Sequence, residues 1–449
     1  MGEAAERMRA LQCSDACFTV PHASIRDLQI AAMNERLQER IAAIRLVGMR
    51  SREAGIAEIR HEADAVPLLL PHTAYKSYPE SFLSEGKWDK LTRWLGTVSS
   101  YPLDDTDLDG IAGIDDWLER LERAGHYVSC SSGTTGKSAM LISSWADLAW
   151  TGQRSAAACA WASGVRPAQD RYFFSLAPVA SVSRNHAVLA AQKEAFGRPE
   201  SELFRYPMPP ITIGSITRMV TLRRAIAEGT ARPADIAEYE STAAGREKSL
   251  ADAIDLTVER LIEHRREKLF LTGLWGNLYK IAVALRERGY GRNDFHQDNI
   301  LFVGGGLKRE ELPPDYREVV RDVFNVAPSA NIQIYGMQEL GSNMPRCQRG
   351  GRYHVPPTLV CLPLTEDGDA LIDSGEDEIE CRAGFFDLSL DGRWGGVISG
   401  DRIQISYRPC ECGAETPSIR DNVVRYADLK GDDKITCAGT IDAYVRGAL

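Results

Sequence analysis

The run Ser129-Cys-Ser-Ser-Gly-Thr-Thr-Gly-Lys-Ser138 gathers hydroxyls, glycines and a cation into one short stretch, the composition that a polyphosphate-gripping loop needs. Glycine lets backbone approach an anion, Ser131, Ser132, Thr134 and Thr135 donate hydrogen bonds, and Lys137 neutralises phosphate charge. ATP is therefore the first ligand to consider. The P-loop of nucleotide hydrolases places four residues between its first glycine and Gly-Lys. Here only Thr134 and Thr135 separate Gly133 from Gly136, so a different class of phosphate loop is implied. The alternative is a solvated Ser/Thr/Gly turn.

Later segments offer further walls for a nucleotide. The β-like run Ile300-Leu-Phe-Val303 enters Gly304-Gly305-Gly306, where bare backbone can lie against a flat base. The run Ile332–Ile334 leads to Tyr335-Gly336-Met-Gln338-Glu339, an aromatic face for stacking followed by a carboxylate for Mg²⁺. Ser399-Gly-Asp401 supplies a carboxylate that can accept hydrogen bonds from both ribose hydroxyls. Each piece alone has a plain structural reading; their order along the chain is more informative.

These residues need a scaffold, and the chain is long enough to build one. With 449 residues, 44% hydrophobic and 26% charged, it has the composition of a globular protein large enough for more than one structural unit. The net charge of −10 argues against a general nucleic-acid-binding surface. No apolar run approaches membrane-spanning length, and the N-terminus lacks the pattern of a secretory signal, so a cytoplasmic location is expected. The ten scattered cysteines read as reduced thiols, metal ligands or a reactive thiol, not a disulfide framework. Residues 24–62 and 246–290 show helical apolar spacing, and after about residue 355 short strands such as Glu378–Cys381 and Gly396–Ser399 take over. The expected architecture is α/β followed by a smaller β-rich section.

Taken in order, the motifs resemble the adenylate-forming superfamily of acyl-CoA synthetases, adenylation domains and luciferases, and within it the phenylacetate-CoA ligase-like and bacterial luminescence acyl-protein synthetase branches. Ser131–Lys137 looks like the superfamily's phosphate loop and Gly304–Gly306 like its adenine-side turn. Tyr335–Glu339 resembles its Tyr-Gly-x-Thr-Glu motif, and Gly400-Asp401 its ribose-binding aspartate. The resemblance implies the large-domain fold of these enzymes, with mixed β-sheets flanked by helices and a smaller β-rich subdomain, and with ATP and Mg²⁺ as cofactors. It divides the chain into residues 1–128, an N-terminal part of the core; 129–354, the nucleotide- and acyl-binding core; 355–425, the β-rich subdomain; and 426–449, a short hinge-like tail.

Two substitutions depart from the pattern. Gln338 puts an amide where threonine is usual, and Lys430, before Gly-Asp-Asp433, stands where the hinge usually has arginine, so the guanidinium fork is lost. CoA ligases of the superfamily carry a mobile C-terminal domain after this hinge; the sequence given ends sixteen residues past Asp433, and that domain is expected to be absent or vestigial. The ending resembles the tail of the acyl-protein synthetase branch, where a cysteine accepts the acyl group, and Cys437 is the matching position. A thiolate attacking an acyl adenylate gives a thioester as AMP leaves. Cys130 is the next thiol to consider.

Cys347-x6-His354 and Cys410-x-Cys412-Gly413 together supply three thiols and an imidazole, a complete tetrahedral shell for structural Zn²⁺. Similar positions occur in some phenylacetate-CoA ligase-like proteins. For the acyl pocket the candidates are residues 177–186 and 271–277, with His186 positioning the carboxylate and Phe173, Phe174 and Trp275 as apolar walls, unless these aromatics belong to the core.

The expected reaction is attack of a carboxylate on the α-phosphate of Mg·ATP to give an acyl adenylate and pyrophosphate, followed by transfer to a thiol. Lys137 and the loop hydroxyls would stabilise phosphate, Glu339 hold Mg²⁺, Tyr335 face adenine and Asp401 orient ribose. The thiol is Cys437, CoA or a carrier-protein thiol, and the acyl-protein branch implies an acyl-accepting reductase partner. Two alternatives are an adenylate-forming ligase that transfers to an amine and a catalytically silent nucleotide-binding scaffold.

Overall fold

Short, mostly apolar runs such as Tyr172–Ser175, Leu269–Gly273 and Ile300–Val303 build the sheet of the unit spanning Gly152–Tyr335. Its parallel strands lie in the order Phe204–Arg205, Tyr172–Ser175, Leu269–Gly273, Ile300–Val303, Asn331–Tyr335. Successive side chains of a strand point to opposite faces, and a parallel sheet is covered on both. Phe174, Leu271 and Leu301 accordingly enter one core with Trp275, Leu278, Ile281 and Val320, while Phe173, Phe270, Ile300 and Phe302 enter another with Leu189 and Phe196. Phe173 and Phe270 stack with ring centroids 4.6 Å apart. These aromatics are therefore core residues and not the pocket walls considered above: Phe173, Phe174 and Trp275 are each at most 3% exposed.

The helical spacing over 246–290 is interrupted. One helix, Pro233–His264, ends before the strand Leu269–Gly273, and another, Trp275–Glu287, follows. A strand buried on both faces has no polar alternation, so Leu269-Phe-Leu blends into neighbouring helical patterns. Residues 24–62 likewise divide, into His22–Arg40 and Arg45–Ala54, the second closed by Gly55 at φ +67°.

The other unit comprises Met1–Thr151 with Gly336–Leu449. The structure, a computed structural model, describes residues 2–130, 137–178, 180–304, 311–373, 375–430 and 435, with backbone alone at 238, 239, 242–244, 246 and 430. In this unit the strands Arg352–His354, Ser418–Arg420, Gly396–Ser406, Glu378–Asp387 and Leu359–Leu364 form an antiparallel series. Leu70–Pro71 adds to Gly396–Ser406 in parallel and Val424–Arg425 in antiparallel fashion. The short strand expected at Gly396–Ser399 thus runs on to Ser406, and Asp401 lies within it, paired in register with Arg425. A separate hairpin, Tyr127–Cys130 with Met140–Ser143, flanks the phosphate-loop sequence. The compact units cut the chain at 151/152 and 335/336, where the motif order put borders at 128/129, 354/355 and 425/426. No helix among the described residues is long and apolar enough to cross a membrane.

Candidate active site and candidate metal centre

The strand Leu70–Pro71 pairs with Val397 and Ile398, which lays the following turn, His72–Lys76, alongside Ser399–Asp401. That turn begins a segment held at both ends. Tyr75 is buried, Ser77 Oγ accepts the Trp94 indole N–H at 3.0 Å, and Tyr78 Oη donates to the Ser138 carbonyl at 2.9 Å. The Lys137 ammonium sits 4.5 Å from the Tyr78 ring centroid, a cation–π contact. Tyr78 therefore positions the downstream end of the Ser/Thr/Gly run; Ser131–Gly136 themselves lie outside the described residues.

Arg393, 1% exposed, ties the hairpin to the Glu339 segment. Its Nη1 donates to the Ile142 carbonyl at 2.7 Å and Ser143 Oγ at 2.9 Å; its Nη2 donates to the carbonyls of Gln338 and Glu339 at 3.0 and 3.1 Å. The approach is close because Gly392 has no side chain: a Cβ there would lie 2.6 Å from the Ser144 nitrogen. Beyond Glu339, buried Asp387 accepts the N–H groups of Gly341 and Ser342 at 2.8 and 3.2 Å, and the N–H and hydroxyl of Ser389 through its other oxygen. The carboxylate expected to hold Mg²⁺ thus stands on a backbone fixed from two sides. Gln338 Oε1 is buried and finds no hydrogen-bond partner among the described residues.

Charges concentrate around this carboxylate. Burial pushes the Glu339 carboxyl above its ordinary range; its own backbone N–H, Arg393 and Lys76 pull it back, and Asp401 pushes it up again. Lys76 is pulled below its ordinary range by burial and by Arg425, against the attraction of Glu339. Tyr75 is pushed up to about 12 by burial, with Arg393 pulling it down and Glu339 pushing it up. Within this unit, then, Glu339 and Asp401 share one electrostatic cluster with Lys76 and Arg393, on a frame that also carries Lys137.

Sequence reading missed Tyr75, Lys76, Tyr78 and Arg393. The other expected residues are distributed as follows. Gly336 and Gln338 precede Glu339 in this unit. Gly304, at the end of Ile300–Val303, and Tyr335, the buried last residue of its strand, belong to the other unit, as does His186, exposed on the first turn of Ser183–Phe196. Lys430 ends the helix Tyr426–Lys430, while Gly305, Gly306 and Cys437 lie outside the described residues. Cys130 is a correction: it is buried, with its thiol pushed up to about 12 by burial, the opposite of an activated nucleophile.

The second constellation is assembled as the spacing suggested. Ligand atoms of Cys347, His354, Cys410 and Cys412 all lie within 4.8 Å of one another. Cys347 Sγ is 3.8 Å from Cys410 Sγ, and Cys412 Sγ is 3.3 Å from His354 Nε2. Tetrahedral zinc with ordinary Zn–S and Zn–N bonds needs neighbouring ligands roughly 3.5–3.8 Å apart, close to the two shortest separations here. Gly413, at φ +91°, turns the Cys-x-Cys knuckle, and Gly350 leaves room for sulfur, since a Cβ there would lie 2.3 Å from Cys410 Sγ. Phe18 packs edge-on to His354, ring centroids 6.1 Å apart.

No protein-family model matches the sequence, and no curated protein matches it. Solved structures do. The chain is similar to 2-hydroxyisobutyryl-CoA ligase in the postadenylation state in complex with R3-HIB-AMP, at 12% identity and TM-score 0.57 over 96% of this chain and 74% of that one. It is also similar to an open conformation of that ligase in complex with 2-HIB-AMP and CoA, at 12% identity and TM-score 0.55 over 93% and 74%. A postadenylation structure with 2-HIB-AMP gives 13% identity and TM-score 0.52 over 96% and 74%. At such identity the likeness establishes the fold: the mixed α/β architecture of adenylate-forming enzymes.

Proposed function

We propose that this chain activates a carboxylic acid with ATP, forming an acyl adenylate and pyrophosphate, and then passes the acyl group to a thiol. The observation that carries the reading is the cluster of Glu339, Asp401, Lys76 and Arg393 beside the hairpin that leads into Lys137. It includes Glu339 and Asp401, the residues that the motif order assigns to magnesium and ribose. The fold is shared with a ligase whose structures contain acyl adenylates, R3-HIB-AMP and 2-HIB-AMP.

In this reading Glu339 holds Mg²⁺, which supplies neutralisation of phosphate charge when bound. Asp401 accepts from the ribose hydroxyls, and Lys137 with Ser131, Ser132, Thr134 and Thr135 grips the β- and γ-phosphates. The motif assigns Tyr335 and the glycines at 304–306 to adenine, and His186 to the acid. An acid oxygen attacks the α-phosphorus, the bond from that phosphorus to the α,β-bridging oxygen breaks, and pyrophosphate leaves with the electron pair; no proton need move. Catalysis is by positioning and electrostatics. Cys347, His354, Cys410 and Cys412 would hold a structural zinc ion that pins the segment after Glu339 to the strand Ser418–Arg420, through Arg352–His354.

The acceptor is Cys437, CoA or a carrier-protein thiol. Pyrophosphate release is expected with ATP and some members of a panel of carboxylic acids, and not with ATP alone. Intact-protein mass after the same incubation identifies the acceptor. A gain of one acyl group that disappears in Cys437→Ser marks self-acylation, while unchanged protein mass with consumption of CoA rules Cys437 out. Amide formation with an added amine would move the acceptor to nitrogen.

A further inference from the structure

The helix Glu3–Gln12, at the opposite end of the sequence from the Glu339 segment, reaches that segment through its last side chain. Glu35 fixes where the helix begins: its two carboxylate oxygens accept the Ala4 and Ala5 N–H groups, each at 3.0 Å, an anion placed where a helix N-terminus favours one. At the other end Gln12, 6% exposed, meets three buried side chains, Ser342, Thr358 and Trp150. Gln12 Nε2 donates to Ser342 Oγ at 3.3 Å, the Thr358 hydroxyl donates to Gln12 Oε1, and the Ser342 and Thr358 hydroxyl oxygens lie 3.2 Å apart. The Trp150 indole N–H donates to the same Ser342 Oγ at 3.2 Å, and Arg9 of the helix lies over the Trp150 ring, 4.2 Å from its centroid.

Counting protons gives this ring one direction. An amide oxygen only accepts, so the single hydroxyl proton of Thr358 goes to Gln12 Oε1. Ser342 then donates to Thr358 Oγ1, and its own lone pairs take the amide and indole N–H groups. Removing the amide leaves buried hydroxyls without their partners, which is costly. Ser342 is the third residue after Glu339. Around it the backbone is held by Asp387, and the Gly341 carbonyl accepts Thr151 Oγ1 at 3.1 Å. The ring adds the grip on the Ser342 side chain, and Mg²⁺ tolerates little displacement of a ligand because it demands near-ideal octahedral geometry. We propose that Gln12 is a positioning residue: acting through Ser342, it sets the backbone that carries Glu339 and hence the strength with which the site holds Mg·ATP. This inference rests on the assignment of Glu339 to magnesium in the adenylation reading above and adds the N-terminal helix to the frame of the site.

Gln29 supplies the comparison that separates positioning from folding. It lies on His22–Arg40, is 3% exposed, and its Nε2 donates to the Pro357 carbonyl at 2.9 Å, a buried amide that grips the residue before Thr358. Full-length wild type, Gln12→Met, Ser342→Ala, the double variant and Gln29→Met are titrated with ATP in buffer with and without Mg²⁺. Pyrophosphate–ATP exchange is followed against Mg²⁺ concentration with an acid that wild type activates. Gln12→Met should raise the half-saturating Mg²⁺ concentration about tenfold, the effect of disturbing a group that supports a metal ligand, and leave ATP affinity without Mg²⁺ within about twofold. Ser342→Ala should do the same, and the double variant should lose no more than the larger single effect, because both act on one link. Gln29→Met should lower the thermal midpoint as Gln12→Met does, with its Mg²⁺ requirement unchanged. An unaltered Mg²⁺ requirement in folded Gln12→Met, additive losses in the double variant, or an equal shift in Gln29→Met would overturn the proposal. If Gln12→Met does not fold, Ser342→Ala decides, an unaltered Mg²⁺ requirement again counting against it. If wild type activates no acid, the adenylation reading falls while the ATP titrations still test Gln12; if Mg²⁺ does not tighten ATP binding by wild type, this inference falls with the magnesium assignment.

Discussion

Arg393 shows how one side chain can set the geometry of a site it need not enter. Its buried guanidinium donates to two groups on the hairpin and two carbonyls at Gln338 and Glu339, a fork that lysine cannot copy. Arg393→Lys should leave at least two of these carbonyl and hydroxyl acceptors unpaired. The expected cost is roughly 2–4 kcal/mol of stability, read from the midpoint of chemical denaturation; a loss within experimental scatter would show that the fork is dispensable. This residue was not legible in the sequence, and neither were Tyr75, Lys76 and Tyr78. Arg393 works through backbone carbonyls more than fifty positions away, and Tyr78 through the carbonyl of Ser138, so neither leaves a local pattern. Lys137, Glu339 and Asp401 were legible because each belongs to a short motif of unusual composition. Cys130 was misleading for the same reason: the motif drew attention to a thiol that burial makes inert.

At the level of elements, strands gave the poorest signal and turns the best. The run Leu269–Gly273 lies between two helices and is apolar on both faces, so nothing in its periodicity distinguishes it from them. The strand that carries Asp401 runs past the expected Gly396–Ser399 to Ser406, with Asp401 paired to Arg425 and Arg402 to Val424. The structure brings the Cys-x-Cys-Gly knuckle together with its distant Cys and His. What the sequence did not announce was the role of Gly350, whose missing side chain makes room for Cys410 Sγ. Gly350→Ala should therefore push that sulfur out of the shell and lower zinc affinity about 10–100-fold, the range seen when groups supporting metal ligands are disturbed. Chelator competition with elemental analysis of the purified protein measures it. Full retention of zinc by the alanine variant, or no zinc in wild type, would contradict the assignment.

For the molecule as a whole, the two units are built on different principles: a parallel sheet covered on both faces, and a largely antiparallel sheet whose strands carry Asp401 and His354. Several neutral groups are locked inside. Burial pushes Tyr75, Cys130 and Cys381 each up to about 12. In the unfolded chain the thiols ionise near pH ~8.5, so above that value the unfolded state holds fewer protons than the fold and stability declines as pH rises. The slope is about 1.4 kcal/mol per pH unit for each such thiol until the folded-state value is reached. The thermal midpoint should consequently drop between pH 8.5 and pH 10; a flat profile would mean that these thiols ionise as readily in the fold as outside it.

The central claim is that one pocket aims the α-phosphate of ATP at a carboxylate. Isotope exchange between pyrophosphate and ATP measures that step alone, whatever accepts the acyl group afterwards. Label should enter ATP only when a suitable acid is present, and Glu339→Gln should slow the exchange by about two orders of magnitude. Exchange that proceeds equally without acid, or no exchange with any acid from short-chain, long-chain and aromatic classes by folded, ATP-binding protein, would contradict the account.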